Sequence, residues 1–218
     1  MGYNVAIDGP AGAGKSTIAK LVAKEKGYIY VDTGAMYRGL AIHFLDKGIV
    51  AEDTDKIIEA CEDADVTIRY EDGQQQVYLN DKNITARLRD EAVGNMASKS
   101  SAIPAVRAKL LELQRGLART QNVIMDGRDI GTCVLPDADV KVYLTASVET
   151  RAERRYKELQ EKGIACSLNE IAADIAERDH RDMTRDIAPL KQAEDAILVD
   201  SSNMTIEEVV ETISGLCK

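Results

Sequence analysis

Short apolar runs alternate along this chain with longer segments whose apolar positions recur every three or four residues. The short runs predict strands at Tyr3–Asp8, Tyr28–Val31, Val123–Met125, Val140–Leu144 and Ala196–Val199. The longer segments predict helices at Ser16–Glu25 and near Ala35–Leu45, Pro104–Leu117, Ser147–Glu161, Asn169–Asp186 and Ile206–Leu216. Strands that alternate with helices are typical of a parallel sheet covered on both faces, so the pattern predicts an α/β fold.

Two of the predicted helices begin with the residues of a capping box. Ser167 stands three residues before Glu170, and Thr205 stands three residues before Glu208. In such a box each side chain bonds the backbone N–H of the other residue, which indicates where a helix begins.

One region departs from the strand-helix alternation. Segments 66–70 and 77–79 alternate apolar and polar residues on either side of Asp72-Gly73, and Asp-Gly between two such runs is a strong hairpin signal. We therefore predict a β-containing insertion at about 62–93, within a core formed by residues 1–61 and 94–218. The core includes a predicted lid at about 154–177, with the loop 162–167 at its tip.

Composition and charge exclude several classes of protein. The chain has 218 residues, 44% of them hydrophobic, and a net charge of −9, which argues against a nucleic-acid binder or a polybasic membrane patch. No apolar run approaches the roughly 20 residues of a membrane span. Asp8 and a glycine-rich loop occupy the place of a signal peptide's apolar segment. We expect a cytoplasmic protein that binds neither nucleic acid nor membrane.

The histidines and cysteines limit the possible chemistry further. His43 and His180 are the only two histidines, too few for a histidine metal cluster and poorly suited to a His-based triad. The four cysteines are far apart and form no Cys-x-x-Cys pair, so we expect them to be reduced and structural; they are Cys61, Cys133, Cys166 and Cys217.

Residues 9–16 read Gly-Pro-Ala-Gly-Ala-Gly-Lys-Ser, a full match to the phosphate-loop pattern G-x-x-x-x-G-K-[ST], directly after a predicted strand and opening a helix. Glycines let backbone N–H groups surround a phosphate at the positive end of the helix dipole. Lys15 can reach the β- and γ-phosphates, and the Ser16 hydroxyl can hold Mg²⁺. The motif predicts ATP binding by Gly9, Pro10, Ala11, Gly12, Ala13, Gly14, Lys15, Ser16 and Thr17.

The rest of the sequence distinguishes between the classes of protein that carry a phosphate loop. A GTPase needs a guanine-reading Asn-Lys-x-Asp, and the nearest tetrapeptide, Asn80-Asp81-Lys82-Asn83, has the wrong order. A motor or AAA-type ATPase is normally longer and oligomeric. A small chain of this kind fits a kinase of a small phosphorylated metabolite better.

Two further loops follow predicted strands. Residues 32–38 read Asp-Thr-Gly-Ala-Met-Tyr-Arg, and residues 126–132 read Asp-Gly-Arg-Asp-Ile-Gly-Thr. An isolated Asp-Gly is usually a plain turn. Ligands of open α/β sheets bind at the carboxyl ends of the strands, where both loops fall, so together they predict an acceptor site.

Four segments in this order resemble the bacterial cytidylate kinases, a branch of the nucleoside monophosphate kinases: GPAGAGKST, YVDTGAMYR, DGRDIGT and ERDHRDMTRDIAPL. The resemblance runs from Val5 to about Asp200. It implies a P-loop NTPase fold with a five-stranded parallel sheet, an inserted NMP-binding subdomain and a mobile lid. The implied reaction transfers the ATP γ-phosphoryl group to CMP or dCMP in pyrimidine nucleotide metabolism. Cys133 stands where an aliphatic residue is expected.

The resemblance also implies roles for individual residues. The implied CMP-binding set is Asp32, Thr33, Arg38, Ser98, Arg107, Arg128, Asp129, Arg178, Asp182 and Arg185. Within it Thr33, Arg38 and Arg128 would hold the phosphate, and Ser98, Arg107 and Asp129 would face cytosine. Arg178 and Asp182 would reach the sugar, with Arg185 near the base or phosphate. A carboxylate beside a guanidinium favours cytosine over uracil, because cytosine presents an amine and two acceptors.

The arginines of the predicted lid have two interpretations. Arg178, Arg181, Asp182 and Arg185 are spaced to share one face of a predicted helix. The first interpretation is a solvated face crossed by ion pairs; the second is a lid that closes on phosphate. In the interpretation as a lid, Arg154 and Arg155 contact ATP. The expected catalytic groups are Lys15, Arg128, Arg178 and Arg181. Arg151 is expected to be structural.

Mg²⁺ is the expected cofactor, with Ser16 as a ligand and Asp126 orienting a metal-bound water. The alternative for Asp126 is a strand-capping role alone. The reaction needs no strong general base, because the attacking phosphate oxygen is largely ionised near neutral pH, with a second pKa of about 6. Rival interpretations are a kinase of another acceptor, such as UMP or shikimate, and a nucleotide-binding module without transfer activity. We expect a monomer.

Overall fold

The computed structural model describes residues 2–218 and divides into two compact units. The first unit contains Gly2 and residues 30–121, and the second contains residues 3–29 and 122–218. Numbered along the chain, the strands are β1 (Asn4–Asp8), β2 (Ile29–Asp32), β3 (Val66–Glu71), β4 (Gln74–Leu79), β5 (Lys82–Asn83), β6 (Val123–Gly127), β7 (Val140–Thr145) and β8 (Ile197–Asp200). The helices are α1 (Lys15–Lys26), α2 (Thr33–Asp46), α3 (Thr54–Glu62), α4 (Glu91–Ser100), α5 (Pro104–Thr120), α6 (Val148–Glu161), α7 (Leu168–Thr184) and α8 (Ile206–Leu216).

A five-stranded parallel sheet confirms the predicted α/β fold. Strands β1, β6, β7 and β8 belong to the second unit, and all of β2 except Ile29 belongs to the first. The five strands of the sheet have the order β2-β6-β1-β7-β8. The central strand β1 pairs in parallel with β6, where Val5 faces Ile124, and with β7, where Val5 faces Val140. Val5, Ala6 and Ile7 are fully buried. A strand with neighbours on both sides and helices over both faces needs such an unbroken apolar run.

Helix starts in the second unit follow the sequence closely. At α8 the Thr205 hydroxyl accepts from the Glu208 N–H at 3.2 Å, and the Glu208 carboxylate accepts from the Thr205 N–H at 2.8 Å. This confirms the predicted capping box. At α7 the Ser167 hydroxyl accepts from the Glu170 N–H at 3.5 Å, but among the described residues Glu170 returns no bond, so that box is half formed.

The first unit combines α2 to α5 with a small antiparallel sheet of order β3-β4-β5. Strands β3 and β4 form the predicted hairpin, with Glu71 opposite Gln74 across the turn. Asp72 and Gly73 have φ angles of 51° and 72°, the left-handed conformation that a tight hairpin turn of this type requires at both positions. The hairpin face that carries buried Val77 packs closely on α2 at Gly39.

Several elements were not predicted from the sequence. They are β5, α3, α4, a 3₁₀ turn at Thr85–Arg89 and a π-helical turn at Ile130–Val134. Helix α4 contains Gly94, Asn95 and Ser98, all of low helix propensity, and is held by its buried Val93 and Met96 instead.

The predicted ends of two helices were wrong. Helix α5 continues to Thr120, three residues beyond the predicted end at Leu117. Helix α7 ends at Thr184, and Arg185 has extended backbone, with φ −65° and ψ 142°. The chain then turns back, and the Leu190 N–H donates to the Asp182 carbonyl at 2.7 Å. Arg185 therefore does not continue the helical face that carries Arg178 and Asp182.

The sequence also predicted reduced cysteines and no membrane span. Within residues 2–218 the four cysteines are thiols rather than disulfides, and Cys61 and Cys217 are buried. Over the same residues no helix combines the length and apolarity that crossing a bilayer requires.

Candidate active site

The glycine-rich loop links buried strand β1 to helix α1 in a conformation that its glycines make possible. Gly9 has φ 151°, and a Cβ placed there would lie 1.9 Å from the carbonyl oxygen of Leu144. No other residue fits that position without moving β7. At the end of the loop Gly14 adopts left-handed backbone, with φ 87°, and helix α1 begins at Lys15. The loop therefore leads directly into a helix N-terminus, where backbone N–H groups attract anions.

Lys15 is buried beneath this loop, and its ammonium group donates to the Pro10 carbonyl at 2.7 Å. Burial lowers the pKa of Lys15 well below its usual value, and the nearby Arg128 guanidinium lowers it further. The carboxylates of Asp126, Asp8 and Asp182 oppose that shift in the pKa. A desolvated cation of this kind interacts strongly with an incoming anion, because little water screens it.

Ser16 and Asp126 lie side by side, as the metal prediction requires. The Ser16 hydroxyl donates to Asp126 Oδ2 at 2.9 Å, which links the first turn of α1 to the end of β6. Both groups offer hard oxygen ligands, which fit Mg²⁺. Over residues 2–218 no group of three or more His, Cys, Asp or Glu side chains could hold a metal. Mg²⁺ usually takes one or two protein ligands, with phosphates and waters completing its shell.

Asp8, at the end of β1, is a site residue that the motifs did not indicate. Its two carboxylate oxygens accept from the N–H groups of Ile130 and Gly131, each at 2.7 Å. Burial raises the pKa of Asp8 to about 6, and these two bonds partly offset the effect. Asp8 thus connects the strand before the phosphate loop to the segment that carries Arg128 and Asp129. Its signal in the sequence is an acidic residue closing an otherwise apolar strand.

Four of the predicted CMP-binding residues pair with one another. Arg128 donates from Nε to Asp182 Oδ2 at 2.8 Å, and the Asp182 side chain is nearly fully buried. Arg185 lies with Nη2 3.5 Å from Asp129 Oδ1, and both side chains are buried. Arg185 also donates from Nε to the Ala188 carbonyl at 2.7 Å. The structure therefore brings together Arg128, Asp129, Asp182 and Arg185, although Arg185 reaches this place from beyond α7.

Arg151 is a buried structural residue that joins three parts of the second unit. Its guanidinium donates to the carbonyls of Ala146 and Ala11, each at 2.9 Å, and to Asp179 Oδ2 at 2.6 Å. Ala11 belongs to the phosphate loop and Asp179 to α7, so one side chain links the loop to the arginine-bearing helix. Sequence reasoning did not single out Asp179, whose spacing from Asp182 places both carboxylates on one helical face.

The other arginines of α6 and α7 have different surroundings. Arg154 donates to the Ser201 carbonyl at 2.7 Å. Arg155 pairs with Glu158 at 2.8 Å and Arg181 pairs with Glu177 at 2.9 Å, both on exposed helix faces. These two pairs have the geometry of a solvated face. Arg178 is half-buried and lies one turn before buried Asp182.

In the first unit, the loop at residues 32–38 is closely built around Gly34. The Asp32 side chain caps α2 by accepting from the Ala35 N–H at 2.9 Å. A Cβ on Gly34 would lie 3.2 Å from Asp32 Oδ1 and 3.3 Å from Arg38 Nη1. The Arg38 guanidinium therefore packs over the loop, and Thr33 is buried at the first turn of α2.

Two further predicted CMP-binding residues lie in the same unit. The Ser98 hydroxyl oxygen on α4 is buried and has no hydrogen-bond partner among the described residues. Arg107, on α5, donates to the Ser101 carbonyl at 3.3 Å, and its guanidinium lies 5.8 Å from the centre of the Tyr37 ring. Thr67 and Ser100 also carry buried hydroxyls without a protein partner within residues 2–218, so this state does not by itself distinguish Ser98 as a ligand contact.

The phosphate loop, its buried lysine and the adjacent serine-aspartate pair place this protein among the P-loop phosphotransferases. Residues 5–218 match the family profile described as cytidylate kinase. The chain belongs to the cytidylate kinase family.

Curated relatives agree over nearly the whole chain. A cytidylate kinase of Caldicellulosiruptor saccharolyticus is 50% identical over 98% of this chain and 94% of that protein. One from Lactobacillus gasseri is 49% identical over 97% of this chain and 92% of its own length. The resemblance found in the sequence is therefore confirmed, and the chain is a kinase.

Solved structures share the fold at low sequence identity. A shikimate kinase from Bacteroides thetaiotaomicron aligns with a TM-score of 0.50 and 13% identity, covering 98% of this chain and 97% of that one. An uncharacterized protein from Eubacterium ventriosum aligns with a TM-score of 0.53 and 11% identity, covering 97% and 95% of the two chains. These similarities bear on the fold alone.

Proposed function

We propose that this chain transfers the γ-phosphoryl group of ATP to CMP and dCMP, giving ADP and CDP or dCDP. The observation that carries the proposal is the Ser16–Asp126 pair beside buried Lys15 at the start of α1. Family membership supports the acceptor, because the curated relatives are cytidylate kinases. We further propose that the enzyme works in the cytoplasm as a monomer.

The donor nucleotide binds at the glycine-rich loop in this proposal. Backbone N–H groups of residues 11–17 surround its phosphates, and Lys15 exchanges its bond to the Pro10 carbonyl for phosphate oxygens. Arg154 and Arg155 are the proposed additional ATP contacts. Both are exposed, and their bonds go to a backbone carbonyl and to a surface glutamate. The exposed Arg155–Glu158 pair is worth little and is readily exchanged for a phosphate.

The acceptor is held by the CMP-binding set inferred from the sequence. Thr33, Arg38 and Arg128 bind its phosphate, and the buried Ser98 hydroxyl, with Arg107 and Asp129, reads the cytosine edge. Asp129 accepts from the exocyclic amine, and Arg107 donates to the ring acceptors. The set is completed by Arg178 and Asp182 at the sugar and by Arg185 near the base or phosphate.

The internal ion pairs explain how these arginines stay ordered before substrate binds. Asp182 holds partly buried Arg128, and Asp129 lies against buried Arg185, so each guanidinium already has a compensating carboxylate. A phosphate brings a larger negative charge and accepts bidentate bonds from arginine. We infer that Arg128 turns from Asp182 to phosphate when CMP binds, which leaves Asp182 available to the sugar hydroxyls.

Catalysis then consists of positioning and charge neutralisation. The attacking oxygen belongs to a phosphate with a second pKa of about 6, so no protein base is required. Lys15, Arg128, Arg178 and Arg181 neutralise charge on the transferred group. Ser16, with Asp126 hydrogen-bonded to it, would hold Mg²⁺, which would add positive charge to that of the protein side chains.

An acceptor panel tests this function. ADP release from ATP is followed in a coupled assay with CMP, dCMP, UMP, AMP and shikimate as acceptors. The expected result is rapid ADP release with CMP and dCMP and slow release with UMP, AMP and shikimate. A stronger response to UMP or shikimate would reassign the acceptor. ATP binding without acceptor-dependent ADP release would instead indicate a regulatory module.

A further inference from the structure

The side chain of Gln75, on β4, lies against the backbone of Asp32 at the end of β2. The Asp32 N–H donates to Gln75 Oε1 at 2.8 Å, and Gln75 Nε2 donates to the Asp32 carbonyl at 3.1 Å. A primary amide that bonds both backbone groups of one residue imitates a neighbouring strand. The two residues are 43 positions apart in the sequence.

Tyr70 makes a second contact of the same kind. Its hydroxyl donates to the Tyr30 carbonyl at 3.1 Å. Tyr70 and Gln75 are paired opposite each other in the hairpin, so adjacent side chains of one hairpin hold two alternate residues of β2. Burial raises the pKa of Tyr70 to about 12, which keeps its hydroxyl a donor throughout the working pH range.

The position of Asp32 determines that of the loop that follows it. Its carboxylate fixes the first turn of α2 through the Ala35 N–H. The Arg38 guanidinium packs over Gly34, next to the same carboxylate. A shift of the Asp32 backbone would therefore move the helix start, and Thr33 and Arg38 would move with it.

We propose that Gln75 is a positioning residue for the acceptor phosphate: its amide holds the Asp32 backbone so that Thr33 and Arg38 face that phosphate. The inference rests on the proposed CMP kinase function. Glutamine suits the role because one side chain must accept from an N–H and donate to a carbonyl. Methionine has similar length and neither ability, and glutamate loses the donor.

The test compares steady-state constants of Gln75→Met with those of Gln74→Met, a matched control on the exposed neighbouring glutamine. Losing two hydrogen bonds to the loop predicts an increase of about tenfold in KM for CMP. KM for ATP is expected to stay within about twofold, since both bonds of the Gln75 amide go to Asp32, in the loop proposed to hold the acceptor. Gln74→Met should leave both constants unchanged.

Gln75→Glu should raise KM for CMP further, because a carboxylate repels both the Asp32 carbonyl and the acceptor phosphate. Tyr70→Phe, which removes a single hydroxyl, should raise it about threefold. If Gln75→Met does not fold, Tyr70→Phe tests the positioning role instead. The expected result is again a raised KM for CMP with an unchanged KM for ATP.

Equal increases in both KM values, or a CMP effect no larger than that of the Gln74 control, would overturn the positioning role. Failure of the proposed function has a different signature: the wild-type enzyme itself would show no CMP-dependent ADP release. In that case the same variants are measured with the acceptor that the panel identifies.

Discussion

Asp8 accepts a hydrogen bond from the backbone N–H of Gly131 at 2.7 Å, across 123 positions of sequence. Its other oxygen accepts from Ile130 at the same distance. Within the second unit this one buried carboxylate joins the strand before the phosphate loop to the turn after Asp129. A Cβ on Gly131 would lie 3.4 Å from Asp8 Oδ2 and 3.1 Å from the Lys141 side chain, so the turn has little room to move.

The raised pKa of Asp8 predicts how stability depends on pH. Its value of about 6 in the folded protein lies above the ordinary 3.8, so the folded state binds the proton more tightly than the unfolded state. The contribution of this group to stability is therefore present below pH 4 and is lost as pH rises to about 6. A shift of about two units corresponds to about 3 kcal/mol.

Urea unfolding at pH 4, 5, 6 and 7 measures this effect against Asp8→Asn, which cannot ionise. The difference in unfolding free energy between wild type and variant should shift in favour of the variant by about 2 kcal/mol from pH 4 to 6 and level off near pH 7. Titrating groups that do not interact with Asp8 cancel in this difference. A constant difference across the range would contradict the raised pKa.

Lys15→Met should abolish turnover and leave the protein folded. The ammonium group is buried at an energetic cost, as its lowered pKa indicates, so methionine removes a desolvation penalty while keeping the volume. The expected loss in kcat is on the order of 10³-fold or more, since a charge on the transferred phosphoryl group goes uncompensated. The coupled assay gives kcat, and thermal unfolding shows whether the fold is kept.

The matched control is Lys24→Met, at an exposed lysine near the end of the same helix. It should retain wild-type kcat. Substantial turnover by Lys15→Met would remove the lysine from the catalytic set.

Arg151→Met should destabilise the protein strongly. It leaves the nearly buried Asp179 carboxylate without its cation, and breaking a buried pair from one side typically costs about 3–5 kcal/mol. Arg155→Met removes an exposed pair with Glu158 and should cost less than about 1 kcal/mol. Denaturant midpoints of the two variants provide the comparison. Similar midpoints would mean that the Arg151–Asp179 pair stabilises the protein no more than the surface pair does.

Asp129→Asn should reduce the discrimination between CMP and UMP. The amide can turn its N–H₂ group toward uracil, which presents an acceptor where cytosine presents an amine. The ratio of kcat/KM for CMP to that for UMP is expected to fall by about tenfold or more. Arg185 and Asp129 are in contact, so Asp129→Ala serves as a control for general disturbance. It should weaken both substrates without favouring uracil.

The sequence revealed the phosphate loop because all its functional residues are contiguous and each has a distinct chemical task. The Asp8 bonds and the Gln75 bonds could not be found this way, because both join segments far apart in the chain. Arg185 was placed on the helix because the charged pattern continues past Thr184 and the next strong stop signal is Pro189. The return of the chain to Asp182 ends the helix earlier, and that is a tertiary contact.

The α6 and α7 arginines were predicted only in part. Arg151 was expected to be structural, and it is buried with two backbone carbonyls and one carboxylate as partners, whereas Arg155 and Arg181, expected at the phosphates, form surface pairs in this structure. Burial depends on which helix face meets the phosphate loop, and periodicity alone does not identify that face where apolar positions are as few as they are on α6.

Three glutamines in a row, Gln74 to Gln76, could each offer the same amide to Asp32. Val77 selects among them, because its burial on α2 leaves one alignment of the hairpin in which the apolar face points inward. A slip by one residue would still present a glutamine to Asp32, but it would expel Val77 into water. Apolar packing on α2 thus chooses which of three identical side chains supports the acceptor loop.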